Sequence, residues 1–297
     1  MPNIDPDQLK AIIGQDKTKR QLCSALRMDR HVLIIGPPGV GKTTLAKDVA
    51  KVMAKDNFIR VQGSPDLTVE DLIGDIDPTK ALKYGPRSEK AFTPGKIFKA
   101  NNGVLFFDEI NRCPEKVQNS LVQALQERTA TVGSYDMDMP ADFIFIGTMN
   151  PEDSSTEKLS DVFLDRFDIV YMSYPDMLEQ EIEIVNRFGK KLKVEFPKTL
   201  LTKSIEFVRF LRDDKDIEKK PSVRASLGLY ERSQANAQLS ARKAVTLEDV
   251  HEAIVSVLSH RIRLKPSMKY IVEPASYIAK KAGDFFNGYS PEKGDAP

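Results

Sequence analysis

Five short apolar runs punctuate the first 175 residues: HVLIIG (31–36), FIRVQG (58–63), GVLFFDE (103–109), FIFIGTMN (143–150) and FDIVYMSY (167–174). Each is rich in Val, Ile and Phe and is bounded by Gly, Pro, Asn or Asp, as strands are. The runs are near-continuous rather than alternating, which suits strands buried on both faces of a parallel sheet. Between them, apolar residues recur at helical spacing, as in TTLAKDVAKVMAK (43–55) and PEKVQNSLVQALQE (114–127). Alternating strands and helices predict an α/β domain over residues 1–175, with a five-stranded parallel sheet flanked by helices.

Beyond Pro175 the strand pattern stops. EQEIEIVNRFGKKL, LTKSIEFVRFLRD, SVRASLGLYERSQANAQLSA and TLEDVHEAIVSVLSHRIRL each predict an amphipathic helix. Thr246 and Asp249 make a capping box for the last of these. The stretch DDKDIEKKPS (213–222) reads as a polar loop ending at Pro221 and Ser222, a helix start. Residues 176–297 are therefore expected to form a small all-α domain, with YSPEKGDAP at its end frayed.

Composition narrows the classes without choosing among them. The 297 residues are 41% hydrophobic and 29% charged, ordinary for a soluble protein of one large or two modest domains. A formal net charge of +1 gives no global attraction to nucleic acid or anionic membrane. Cys23 and Cys113 form no CxxC pair, and His31, His251 and His260 form no HExxH, so neither a disulfide scaffold nor a zinc site is expected. MPNIDPDQLK is not a signal peptide, and no apolar run approaches the ~18 residues that span a bilayer. A reducing cytoplasmic location fits.

Chemistry enters with GPPGVGKT (36–43), which fits GxxxxGK[ST] between a predicted strand and a predicted helix. The loop comprises Gly36, Pro37, Pro38, Gly39, Val40, Gly41, Lys42 and Thr43, with Thr44 following. Its glycines let backbone N–H groups approach phosphate oxygens, and the helix N-terminus adds partial positive charge. Lys42 can reach β- and γ-phosphates, and the Thr43 hydroxyl can ligate Mg2+. A phosphate loop needs an acidic partner, and GVLFFDE drives an apolar strand straight into Asp108 and Glu109. Asp108 is expected to hold Mg2+ and Glu109 to polarise an attacking water. Both would emerge at the carboxyl end of the sheet, where open α/β sheets bind ligands. No GxSxG and no Cys–His arrangement offers a nucleophilic alternative.

With these motifs in place the sequence resembles an AAA+ ATPase. More narrowly, it resembles the MoxR and magnesium-chelatase ATPase-subunit (ChlI/BchI-like) group over roughly residues 10–265. GPPGVGKT resembles the family's Walker A and LFFDE its Walker B. EDLIGDIDPTKALKYGPRSEKAFTPGKIFKANNGVLFFDEINR (70–112) resembles the family's insert before the Walker B strand. QERTATVGSYDMDMPADFIFIGTMNP (126–151) resembles its β-hairpin leading into the sensor 1 strand. The resemblance implies an AAA+ P-loop core followed by a helical lid, with ATP and Mg2+ as cofactors. It makes Asn150 the sensor 1 residue and Arg166 an arginine finger reaching a neighbouring subunit's ATP. It makes Arg224 the sensor 2 residue of the lid, and Ile13, Gly14 and Gln15 a segment near the adenine.

The resemblance also implies a homo-oligomeric ring, a hexamer in the family, that remodels or activates a partner protein. That partner often carries a von Willebrand A domain. Nothing here resembles DxSxS, so the partner is expected on a separate polypeptide. A nucleic-acid motor is the alternative, since related AAA+ helicases carry a comparable hairpin. Asp136, Asp138 and Asp142 with no Lys or Arg make the hairpin poor ground for phosphate. From residue 176 onward, 22 Lys+Arg against 18 Asp+Glu is a weak basic excess. A motor dedicated to metal insertion into a tetrapyrrole is the second alternative.

Overall fold

The computed structural model describes residues 4–53, 57–85, 88–132, 137–151 and 159–289. The chain divides into two compact units, Met1–Ser173 and Tyr174–Pro297.

All five apolar runs of the first unit are strands: β1 (His31–Ile35), β2 (Phe58–Gln62), β3 (Gly103–Asp108), β4 (Phe143–Met149) and β5 (Phe167–Tyr171). They pair in parallel in the order β2-β3-β4-β1-β5. Burial on both faces explains the near-continuous runs of β1, β3 and β4, whereas the edge strands β2 and β5 are only partly buried, against the expectation for all five. Leu105 and Phe107 of β3 join Phe143 and Phe145 of β4 in one core, whereas Val104, Phe106, Ile144 and Ile146 join the other. Helix α1 (Asp16–Arg27) precedes β1, α2 (Lys42–Val52) follows it, and α3 (Glu115–Glu127) follows β3. The stretch expected as an insert holds a short antiparallel ribbon, 74–76 with 92–94, and the exposed helix Pro78–Tyr84. The expected β-hairpin pairs Thr129–Val132 with Met137–Pro140. Its tip, with Asp136, lies outside the described residues.

The second unit is helical, with α4 (Leu178–Phe188), α5 (Lys198–Asp213), α6 (Val223–Leu239), α7 (Leu247–Leu258) and α8 (Pro274–Phe286). Ser222 occupies the N-cap position of α6, where the sequence places a helix start. Asp249 accepts the Thr246 N–H at 2.8 Å, closing the expected cap of α7. One element differs from the all-helical expectation. Ile217–Lys219, inside the stretch read as a polar loop, pairs antiparallel with Arg263–Leu264. Ile217 and Leu264 are both buried there, so two isolated apolar residues in polar surroundings reach the lid core by pairing across the sequence.

Candidate functional site

The carboxyl ends of β1 and β3 bring the phosphate loop and the acidic pair together. Gly39 (φ 75°) and Gly41 (φ 103°) take the left-handed conformations that turn the loop into α2. The Lys42 ammonium donates to the Gly36 and Pro37 carbonyls at 2.7 and 2.9 Å. The segment Ile12–Gln15 lies against this loop. A side chain on Gly41 would come 3.1 Å from Ile12 Cδ1, and Gln15 Nε2 donates to the Ser173 carbonyl at 2.8 Å. Gly14, next to Ile13, has φ 65°.

Asp108 is the hub. The Thr43 hydroxyl lies 3.1 and 3.3 Å from its two carboxylate oxygens. The Thr148 hydroxyl donates to Oδ1 at 2.7 Å, and Arg60 Nη2 pairs with Oδ2 at 2.8 Å. Thr148 is fully buried in β4 and also accepts the Glu109 N–H at 2.9 Å. One hydroxyl therefore sets the positions of both acidic residues. Glu109 adopts φ 58°, a conformation uncommon for a side chain with a Cβ, which lifts it off the end of β3. Its Oε2 accepts from Gln62 Nε2 at 3.2 Å and pairs with Arg112 Nη1 at 3.2 Å. Gly63 makes this crossing possible, because a Cβ there would lie 2.1 Å from the Glu109 carbonyl oxygen.

The donor set fits a small hard cation. A hydroxyl and a carboxylate oxygen 3.1 Å apart match the spacing of adjacent ligands around octahedral Mg2+, about 3 Å for bonds of about 2.1 Å.

The other predicted residues are placed differently. Asn150 follows β4 next to this site, and its carbonyl accepts from the buried Asn111 at 3.1 Å. Arg166 is not brought to the loop. It immediately precedes Phe167, which pairs with His31 at the amino end of β1, whereas the loop follows the carboxyl end. Those ends are separated by a rise of about 13 Å. Arg166 donates instead to the Val162 carbonyl and, at 2.7 Å, to Gln126 Oε1. Arg224 is exposed in the first turn of α6, in the second unit. Burial, and then the nearby Arg224 charge, lower the pKa of Arg261. Cys23 is core: burial pushes its thiol up to about 11, which excludes a reactive thiolate at neutral pH.

Sequence reasoning missed Arg60, Gln62 and Thr148. Arg60 and Gln62 alternate with Ile59 and Val61 along β2 and look like ordinary solvent-facing strand positions. Only the parallel register, which sets Gln62 level with Asp108, brings them to the acidic pair.

Residues 31–167 match the family described as AAA domain (dynein-related subfamily), and residues 210–276 match AAA lid domain. Chaperone MoxR1 of Mycobacterium tuberculosis is 32% identical over 86% of this chain and 73% of its own length. This chain belongs to the AAA+ ATPases of the MoxR and magnesium-chelatase type. A magnesium-chelatase subunit ChlI homolog of Methanocaldococcus jannaschii is 26% identical over 95% of this AAA+ chain and 91% of its own. The Thermotoga maritima RuvB Holliday junction branch migration motor superposes with a TM-score of 0.54 at 22% identity. That match covers 83% of this chain and 70% of RuvB. At that identity the likeness is one of fold. Among the described residues, no helix of this AAA+ chain is long and apolar enough to cross a membrane.

Proposed function

We propose that this AAA+ protein hydrolyses ATP with Mg2+, assembles into a homo-oligomeric ring to do so, and uses the cycle to remodel or activate a separate protein. The observation that carries the hydrolytic reading is the Thr43–Asp108 pair, 3.1 Å apart at the mouth of the phosphate loop. Thr43 and Asp108 would hold magnesium, which would offset the charge on the phosphates. Lys42 exchanges its loop carbonyls for phosphate oxygens. Loop N–H groups and the start of α2 bind the rest of the triphosphate. Glu109 orients the attacking water, and Asn150 helps place it near the γ-phosphate. Ile13 and Gly14 line the adenine side, and Arg224 reads the nucleotide state from the lid.

Arg166 acts on the neighbouring subunit. Its place at the amino edge of the sheet supports this, because the loop in its own subunit lies at the opposite edge. The client is a protein, and one with a von Willebrand A domain is the leading class. Support comes from relatives named as a chaperone and as magnesium-chelatase subunits.

The Glu109→Gln variant tests the hydrolytic core. Phosphate release is expected to fall roughly 10²- to 10⁴-fold, the usual worth of a positioned acid–base group. ATP affinity is expected to stay within a few-fold of the parent. Normal turnover in this variant would remove Glu109 from the chemistry.

A further inference from the structure

Arg60 has no part in the chemistry assigned above, yet it makes an ion pair with the central carboxylate. Its Nη2 lies 2.8 Å from Asp108 Oδ2 and 3.0 Å from Gln62 Oε1. The Asp108 side chain is 10% exposed, the Arg60 side chain 45%. A carboxylate this deep is costly without a compensating cation, and two hydroxyl donors do not cancel its charge. Arg60 supplies that cation from β2, the neighbouring strand. Gln62, two residues on and so on the same face, holds the guanidinium in place.

The same carboxylate faces the Thr43 hydroxyl at 3.1 Å. A divalent ion on Thr43 and Asp108 would meet a guanidinium already bonded to one of its ligands. Two cations on one carboxylate repel each other. The guanidinium is the mobile one, being nearly half exposed on a long stem. We infer that Arg60 is a resident counter-ion that a divalent cation must displace from Asp108, and that it sets how tightly the site holds its metal. It is a positioning residue, since it acts through Asp108. The inference rests on Thr43 and Asp108 as the metal-holding pair.

This makes the opposite prediction to a supporting role. A residue that merely braces Asp108 would, when removed, weaken metal binding. A competing cation would, when removed, strengthen it. The test counts free Mn2+ by its EPR signal over the ADP-loaded 297-residue protein. Arg60→Gln is expected to bind Mn2+ roughly 3- to 10-fold more tightly than the parent, the size of effect one half-exposed charge exerts. Arg60→Lys keeps the charge and is expected to stay within about twofold of the parent. Arg60→Met, which keeps an apolar stem over β2, replaces the Gln variant if that one fails to fold. Unchanged or weaker Mn2+ binding in the neutral variant overturns the inference. Thr43→Ala and Asp108→Asn separate this failure from a deeper one. If either keeps the parent's Mn2+ affinity, the metal site itself is misplaced, whatever Arg60 does.

Discussion

His31 shows how one side chain can tie a pH response to the sheet. Its Nδ1 accepts the Phe145 N–H at 3.1 Å, which leaves Nε2 as the protonated nitrogen, 3.0 Å from the Leu125 carbonyl. The neutral ring thus joins β1, β4 and α3. Burial holds its pKa below the ordinary 6.5. In the window between the lowered value and 6.5 the unfolded chain binds more protons than the folded one. Stability therefore rises with pH through that window and is lost as pH falls below about 6.5. The loss is at most about 1.4 kcal/mol per pH unit from this residue. Urea unfolding at pH 7.5 and 5.5 should show a smaller acid loss in His31→Gln than in the parent. Equal losses would place the acid sensitivity elsewhere. Glu109 is the other informative single residue. Its left-handed backbone follows from a β3 that ends with its own carbonyl against Gly63, a constraint no local pattern reveals.

Among the elements, the start of the lid is held by a buried ionic cluster. Glu181 of α4 is fully buried and receives Arg212 Nη1 and Nη2 of α5 at 2.7 and 2.6 Å, with the Ser226 hydroxyl of α6 at 2.5 Å. Arg212 also donates to the Pro221 carbonyl at 2.8 Å and covers the Tyr174 ring, 4.7 Å from its centroid. Arg209 donates to the Pro175 and Asp176 carbonyls at 2.9 and 2.7 Å. Three helices and the first residues of the second unit thus converge on one carboxylate. Glu181→Leu leaves Arg212 buried without its partner and should cost about 3–5 kcal/mol. Glu181→Leu with Arg212→Met should recover a large part of that in urea unfolding. A single-variant cost below about 1 kcal/mol would deny the cluster its structural role.

The strands, the principal helices and the phosphate loop were legible because each is written in a contiguous stretch. GPPGVGKT and LFFDE carry both their local structure and the residue types on which the proposed chemistry rests. Arg60 and Thr148 were not legible. Their meaning depends on which strands are neighbours and in what register, and FIRVQ and FIFIGTM do not state that. The lid ribbon escaped for the same reason, since Ile217 and Leu264 are 47 residues apart by numbering and each looks isolated.

At the scale of the whole molecule, the sheet separates what the proposed chemistry must combine. Lys42, Asp108 and Glu109 stand at its carboxyl edge and Arg166 precedes its amino edge. If the finger works between copies, Arg166→Ala and Lys42→Ala should each be inactive alone. A mixture should regain hydrolysis, because a Lys42→Ala copy can lend its arginine to an Arg166→Ala copy. An arginine supplied in trans can be worth ~10³–10⁵ in rate, so the recovered signal should be large. A mixture as silent as its components would mean that each subunit is self-contained. The same separation has a kinetic corollary. A protein whose half-sites face away from each other has no activity of its own to dilute. Turnover per molecule should then climb with concentration until the copies are saturated with neighbours. The ATPase would report how much of itself is present, falling silent below an abundance threshold without any inhibitor.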